Sequence, residues 1–237
     1  LKNISSLYVA LDIENKEKAL QFLKQQQLEG AAVKVGMELF YHAGPSIITS
    51  LKERNHDIFL DLKLHDIPTT VKNAMRNLAR LDVDMVNVHA QGGREMITAA
   101  KQGLEEGCQG KERPVLLAVT QLTSTDQTMM AEELRQPGTV EESVIHLAKL
   151  AKSGGADGVV CSVQEVKAIK AACGSSFLTV TPGIRPKGAQ QNDQKRSATP
   201  LEAKQQGTDA IVVGRAITAA SDPYISYQQI IEEWNHG

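Results

Sequence analysis

Ile58-Phe59-Leu60-Asp61-Leu62-Lys63-Leu64 runs directly into His65-Asp66-Ile67-Pro68-Thr69-Thr70-Val71. The first seven residues are bulky and apolar apart from two charges. A run this short reads as a strand buried on both faces, in the manner of a parallel sheet. Pro68 follows where a helix can start, because the N–H it lacks would have no partner in the first turn. Apolar spacing then continues to Leu81. Strand followed at once by helix is one β/α unit. Side chains alternate along a strand, so Leu60, Leu62 and Leu64 should share the face that packs against helices. Asp61 and Lys63 should share the other.

The same unit repeats in both directions along the chain. Short β-branched or leucine-rich runs stand at 8–13, 31–36, 58–64, 85–89, 115–120, 158–162, 178–181 and 210–214. Helical periodicity separates them at 16–27, 68–81, 94–106, 140–153, 163–172 and 201–206. Residues 38–54 carry Pro45, which should break that stretch into two helices. Asp222-Pro223 opens a last helix ending near Trp234. Eight strands, each followed by helix, in a chain of 237 residues is the count and size of a closed (β/α)8 barrel. An open, doubly wound sheet is the alternative. No linker or compositional break divides 1–237, so one domain is expected. One stretch, 185–199 (RPKGAQQNDQKRSAT), is almost wholly polar and long for a connection, as loops that close over a site often are.

Hydrophobic residues make up 41% and charged residues 23%, with a formal net charge of -2. That balance argues against a non-specific nucleic-acid binder, which would be basic. No apolar run approaches the roughly 20 residues of a membrane helix, and the first six residues lack the apolar core of a signal peptide. Cys108, Cys161 and Cys173 are odd in number and lack metal-finger spacing. Together these features suggest reduced thiols in the cytoplasm.

In such barrels chemistry collects where the strands end. There the chain places Asp12 on strand 1, Lys34 on strand 2, Asp61 and Lys63 on strand 3, His89 on strand 4 and Gly214-Arg215 on strand 8. Asp12–Lys34 and Asp61–Lys63 could be two structural ion pairs. Four charges converging on one rim, however, point to a site, since buried charges are costly unless paired or used. His65 and His89, close to this rim, are expected to be hydrogen-bonded structural residues. Asp66 could cap the helix starting at Pro68, or it could add a carboxylate to the site or to a neighbouring subunit. Phosphate would suit the loops after strands 7 and 8, Thr181-Pro182-Gly183-Ile184-Arg185 and Val213-Gly214-Arg215-Ala216. There glycine permits close backbone approach and arginine grips an anion. Asp12, Asp61 and Asp66 could hold Mg2+, but Lys34 and Lys63 interleave with them and supply positive charge, so no metal is expected.

Asp61-Leu62-Lys63-Leu64-His65-Asp66-Ile67-Pro68 resembles the DxKxxDIP signature of the orotidine 5'-phosphate decarboxylase family, in its shorter bacterial form. The resemblance runs through Leu11-Asp12, Lys34-Val35-Gly36, Gln121-Leu122-Thr123-Ser124, Thr181–Arg185 and Val212–Ile217. Hexulose-phosphate synthase and keto-gulonate-phosphate decarboxylase share DxKxxD. They use Mg2+, typically carry an acidic residue where Lys34 stands, and lack a long polar loop like 185–199.

The resemblance implies metal- and cofactor-free decarboxylation of orotidine 5'-monophosphate to UMP, with Lys63 stabilising and then protonating the C6 carbanion. It implies that Asp61 sits by the substrate carboxylate and that Asp12 and Lys34 contact the ribose. Thr123 would bind the pyrimidine. Pro182, Arg185, Gln194, Gly214 and Arg215 would form the phosphate end. In a homodimer, Asp66, Ile67 and Thr70 would reach across the interface.

Overall fold

The computed structural model describes residues 2–186 and 196–236. Strands β1 (Leu7–Ala10), β2 (Val33–Gly36), β3 (Ile58–Leu64), β4 (Met85–His89), β5 (Val115–Val119), β6 (Gly158–Val160), β7 (Leu178–Thr181) and β8 (Ala210–Val213) each pair in parallel with their sequence neighbours. β1 also pairs with β8, through Leu7 opposite Ile211 and Val9 opposite Val213, which closes the barrel. The open-sheet alternative is thereby removed.

Helices follow the strands: α1 (Lys16–Gln25), α2 (Met37–Ala43), α3 (Ser46–Lys52), α4 (Pro68–Ala79), α5 (Gly93–Gly107), α6 (Val140–Ser153), α7 (Val166–Cys173), α8 (Pro200–Gln206), α9 (Arg215–Thr218) and α10 (Pro223–Asn235). Several begin at side-chain caps that satisfy free amides. Asn15 accepts from Lys18 N–H, and Asp222 from Ile225 N–H. Thr139 with Glu142, and Thr199 with Glu202, form reciprocal capping boxes. The 38–54 stretch breaks at Gly44-Pro45 as expected, with Gly44 at φ 62°. The stretch 163–172 opens as a 3-10 turn, Val163–Glu165, before α7. A π turn at Met129–Glu133 was not anticipated. α4 and α5 lie unusually close. A Cβ at Gly103 would stand 2.2 Å from the Lys72 carbonyl oxygen, and one at Gly107 2.3 Å from that of Arg76.

Alternation along the strands creates two apolar layers. Inside the barrel lie Tyr8, Ala10, Ala32, Phe59, Met85, Val115, Leu117, Val119, Val160, Val180, Ala210 and Val212. Their outward neighbours, among them Val9, Val33, Leu60, Leu62, Val86 and Leu116, pack under the helices, with Leu64 partly buried against them. The inward rows turn polar toward the C-terminal ends. Lys34 stands above Ala32, Asp61 above Phe59 and Asn87 above Met85. The apolar interior thus supports a charged mouth. No described helix is long and apolar enough to cross a membrane.

Candidate active site

A cavity of about 550 Å³ opens at that mouth. Ala10, Phe59, Val119, Val160 and Val212 line its apolar part, and Asp12, Lys34, Asp61, Lys63, Gln121, Thr123, Ser124, Arg185 and Arg215 its polar part. Pro182, Gly183 and Gly214 bring backbone to the wall.

The four rim charges form one unbroken chain. Lys34 Nζ lies 3.2 Å from Asp12 Oδ1 and 3.2 Å from Asp61 Oδ2, and Lys63 Nζ lies 2.7 Å from Asp61 Oδ1. Both ion pairs weighed as the structural alternative are present, but Lys34 joins them into one network. β1 stops at Ala10, so Asp12 lies beyond the strand rather than at its end, with its side chain 61% exposed. Asp61 and Lys34 are far more enclosed, at 10% and 12%. Burial pushes the Asp61 carboxyl up, yet Lys34, Lys63 and a hydrogen bond from Asn87 hold it below the usual carboxylate range. Burial opposes the charge on Lys34 as well, and Asp61 and Asp12 more than offset it, so its pKa is raised. Asp61 and Lys34 are therefore held charged at neutral pH. The space between the two carboxylates is filled by an ammonium, so a divalent cation would have to displace Lys34 to bridge them.

Asp61 and Lys63 do share the inner side, though not by plain alternation. Leu60 pairs with Val86 and Leu64 with Val88, so four steps on β3 match two on β4. The surplus is a bulge, and within it Lys63 has φ 50°. A non-glycine residue there costs about 1–2 kcal/mol and persists only where its surroundings hold it. Asn87 supplies that hold. It is buried, accepts from Lys63 N–H at 2.8 Å through Oδ1, and donates through Nδ2 to Asp61 Oδ1 at 2.7 Å. Asn87 was not among the residues expected at the site. The available signal was an amide at an inward position of β4, between Met85 and His89.

Of the residues expected at a phosphate end, Pro182, Arg185, Gly214 and Arg215 line the same cavity. Arg185 leaves the loop after β7, and Arg215 starts α9 after β8. Burial lowers the Arg185 pKa, and the nearby positive charge of Arg215 lowers it further. Two guanidiniums close enough to repel make a place for an anion. The polar loop 185–199 is pinched at its base: Arg185 N–H donates to Ala198 O at 2.9 Å, and Ala198 N–H to Gly183 O at 3.3 Å. Gln194 and the rest of 187–195 lie outside the described residues. Arg196, also missed from sequence, pairs with buried Glu165 and donates to Leu122 O at 2.7 Å. It thereby ties this loop to the one carrying Thr123.

Asp66, Ile67 and Thr70 stand apart from this chain's own cavity and are exposed. Asp66 does not cap α4, whose N-cap is Ile67; its Oδ1 accepts the N–H of Ile67 at 2.6 Å. His65 and His89 face one another with ring centroids 5.7 Å apart. No hydrogen bond to either ring is found among the described residues, contrary to the expectation for both. Burial, His65 and Lys63 together lower the His89 pKa. Cys161 lines the cavity, but burial pushes its thiol up to about 12, which leaves it a poor nucleophile.

Comparison with known proteins agrees with this geometry. The family model described as Orotidine 5'-phosphate decarboxylase / HUMPS family matches residues 5–230. Orotidine 5'-phosphate decarboxylase of Bacillus cereus (strain AH820) is 59% identical over 230 residues, 97% of each chain. The protein of the same name from Bacillus cytotoxicus is 58% identical, again over 97% of each. Among solved structures, orotidine 5'-phosphate decarboxylase from Lactobacillus acidophilus superposes with a TM-score of 0.88 at 46% identity, over 98% of this chain and 100% of that one. An uncharacterized conserved protein from Geobacillus kaustophilus gives 0.86 at 49% identity, over 97% and 100%.

Proposed function

The chain belongs to the orotidine 5'-phosphate decarboxylase / HUMPS family, and we propose that it decarboxylates orotidine 5'-monophosphate to UMP and CO2 at the charged mouth of its barrel. The reaction belongs to pyrimidine nucleotide biosynthesis. The observation that carries the reading is the continuous Asp12–Lys34–Asp61–Lys63 network, with Arg185 and Arg215 on the wall of the same cavity.

The chemistry follows from the charges. When the bond from C6 to the carboxylate breaks, CO2 departs and the electron pair stays on C6, where no conjugated system accepts it. A fixed ammonium in an enclosed, weakly screening site is the stabiliser such a carbanion needs. Lys63 fills that role and then passes a proton to C6, leaving UMP and a neutral amine that regains its proton from water. Asp61, itself held by Lys34, keeps the ammonium in place before substrate arrives, so little reorganisation is needed at the moment of reaction. Asp12 and Lys34 take the ribose hydroxyls and Thr123 the pyrimidine. Arg185, Arg215, Gly214 and Pro182 form the phosphate end, to which Gln194 would add its amide. Binding energy at that remote end serves the reacting centre. No metal or cofactor is required, because Lys34 provides positive charge where a cation would sit.

Asp66, Ile67 and Thr70 are assigned to a second copy's site in a homodimer. Their exposure outside the chain's own cavity supports this, as does the 67% exposure of a large apolar side chain at Ile67. Met37 and Tyr41, on the adjacent βα unit, are exposed as well. All three cysteines are free, which fits the reducing cytoplasm in which we place the enzyme.

Loss of orotate-type ultraviolet absorbance on adding orotidine 5'-monophosphate, unchanged by EDTA, is the expected result. Abolition by EDTA would transfer the chain to metal-dependent chemistry. Mixing Lys63→Ala and Asp66→Ala proteins tests the shared site. Half of the dimers become hybrids with one intact site each, so about a quarter of wild-type activity should return. Absence of recovery despite proven subunit exchange would place Asp66 outside the partner's site.

A further inference from the structure

We propose that Asn87 is a positioning residue for this reaction, holding the Lys63 ammonium and the Asp61 carboxylate in register through its two amide atoms; the inference rests on the decarboxylase reading. Three observations converge on it. The bulge in β3 removes Lys63 from the regular ladder with β4, and its N–H finds the Asn87 side chain, at 2.8 Å, instead of a strand carbonyl. Lys63 has φ 50°, and nothing in a lysine favours that conformation. The same amide donates at 2.7 Å to Asp61 Oδ1, the oxygen that Lys63 Nζ also approaches at 2.7 Å. Asn87 thus fixes both ends of the catalytic pair: the backbone from which the lysine springs and the carboxylate that receives its tip. At 1% exposure it has no competing water and little freedom to relax.

An amide meets this demand at every pH without carrying charge. It offers one acceptor to an N–H and one donor to an ionised carboxylate. Leucine, nearly isosteric, would leave the Lys63 N–H and one Asp61 lone pair unmet. Aspartate would meet both when protonated, its carbonyl accepting from Lys63 and its O–H donating to Asp61. Once ionised, it would place a second negative charge against Asp61.

The test compares wild type, Asn87→Ala, Asn87→Asp and, as a stability control at the opposite end of the barrel, Arg113→Met. Each is assayed for kcat and KM toward orotidine 5'-monophosphate between pH 5 and 9, with Tm measured in parallel. Asn87→Ala should lower kcat about a hundredfold, the scale expected when reacting groups shift by about 1 Å, with KM changed by less than about threefold. Arg113→Met should lose Tm while keeping kcat. Asn87→Asp should regain roughly tenfold or more of its kcat as pH falls, along a limb absent from wild type. The charged and titratable groups facing position 87 are Asp61 and Lys63 on β3, Lys34 behind Asp61 on β2, and His65 and His89 at the rim. All are common to wild type, so a limb seen only in the variant belongs to residue 87. A kcat for Asn87→Ala within threefold of wild type overturns the proposal, as does an equal kcat loss in Arg113→Met at matched Tm. So does an Asn87→Asp profile parallel to wild type, which remains decisive should Asn87→Ala fail to fold. A wild-type chain that leaves orotidine 5'-monophosphate untouched would instead refute the decarboxylase reading itself.

Discussion

The two rims of this barrel use the same residue types to opposite ends. At the N-terminal rim, three aspartates precede even-numbered strands, and each carboxylate ties the preceding strand. Asp84 accepts from Ile58 N–H and from Lys52 Nζ, both at 2.7 Å. Asp157 accepts from Leu116 N–H at 2.8 Å and takes both Nη atoms of Arg113 at 2.6 Å. Asp209 accepts from Thr179 N–H and Lys170 Nζ, each at 2.7 Å. Each carboxylate has a local cation and one amide of the neighbouring strand, Asp84 taking Lys2 Nζ at 3.1 Å as well, and each stitches a strand pair. At the C-terminal rim the charges are instead linked in series around a cavity, with a strained lysine at the end of the chain. The first arrangement leaves lone pairs satisfied by fixed protein groups and stabilises the fold. The second presents an ammonium, 25% exposed, to the cavity.

The contrast can be broken from either end. The largest effect belongs to the upper rim: Lys63→Ala should reduce kcat by about 10⁴-fold or more. It removes both an electrostatic stabiliser, worth about 10²–10³, and a general acid, worth about 10²–10⁴. Its Tm should change little, since alanine keeps the same backbone strain and Asp61 keeps Lys34 and Asn87 as partners; a large Tm loss would give Lys63 a structural role like that of the lower aspartates. At the lower rim, Arg113→Met strands the largely buried Asp157 carboxylate, a loss of about 2–4 kcal/mol. For a chain of this size that is roughly 5–10 °C in Tm, with kcat of the folded enzyme unchanged. Smaller still, Arg185→Ala should raise KM about 10- to 100-fold, the equivalent of one charged hydrogen bond, with Tm nearly constant. A kcat loss exceeding the KM effect would place Arg185 at the reacting centre instead.

The smallest expected effect is on stability against pH. The folded-state pKa of Asp61 lies below its unfolded value of about 3.9, so its contribution is complete above that pH and lost as pH falls through the folded value. The folded-state pKa of Lys34 lies above its unfolded value of about 10.4, so its contribution is complete below that pH and lost as pH rises through the folded value. Denaturant unfolding of Asp61→Asn and wild type should therefore differ by a constant amount between about pH 5 and 9. The difference should narrow below about pH 4. A difference that varies across neutral pH would mean that Asp61 and Lys34 are not both charged there.

Much of this was legible in the sequence because it is local. Strand and helix alternate in hydrophobic period, so Phe59, Leu60 and Leu62 sort themselves to inside and outside before any partner is known. The motif from Asp61 to Pro68 also places two charges at a strand end. What escaped the sequence depends on pairs of segments. β1 ends at Ala10 because its pairing with β2 stops there, so Asp12 hangs free of the ladder. His65 and His89 meet each other because two strands bring their ends together.

The eight β/α units, the charged residues of the mouth and their sign were determined by the sequence itself, through side-chain alternation and the cost of burying charge, whereas closure came from the pairing of β1 with β8. Only the tertiary structure decided that Lys34 bridges two carboxylates and that Lys63 leaves a bulge at positive φ. It alone showed that Asn87 on a neighbouring strand holds both Lys63 and Asp61. A bulge is a mismatch of register between two strands, and register is a property of the pair that neither strand encodes alone.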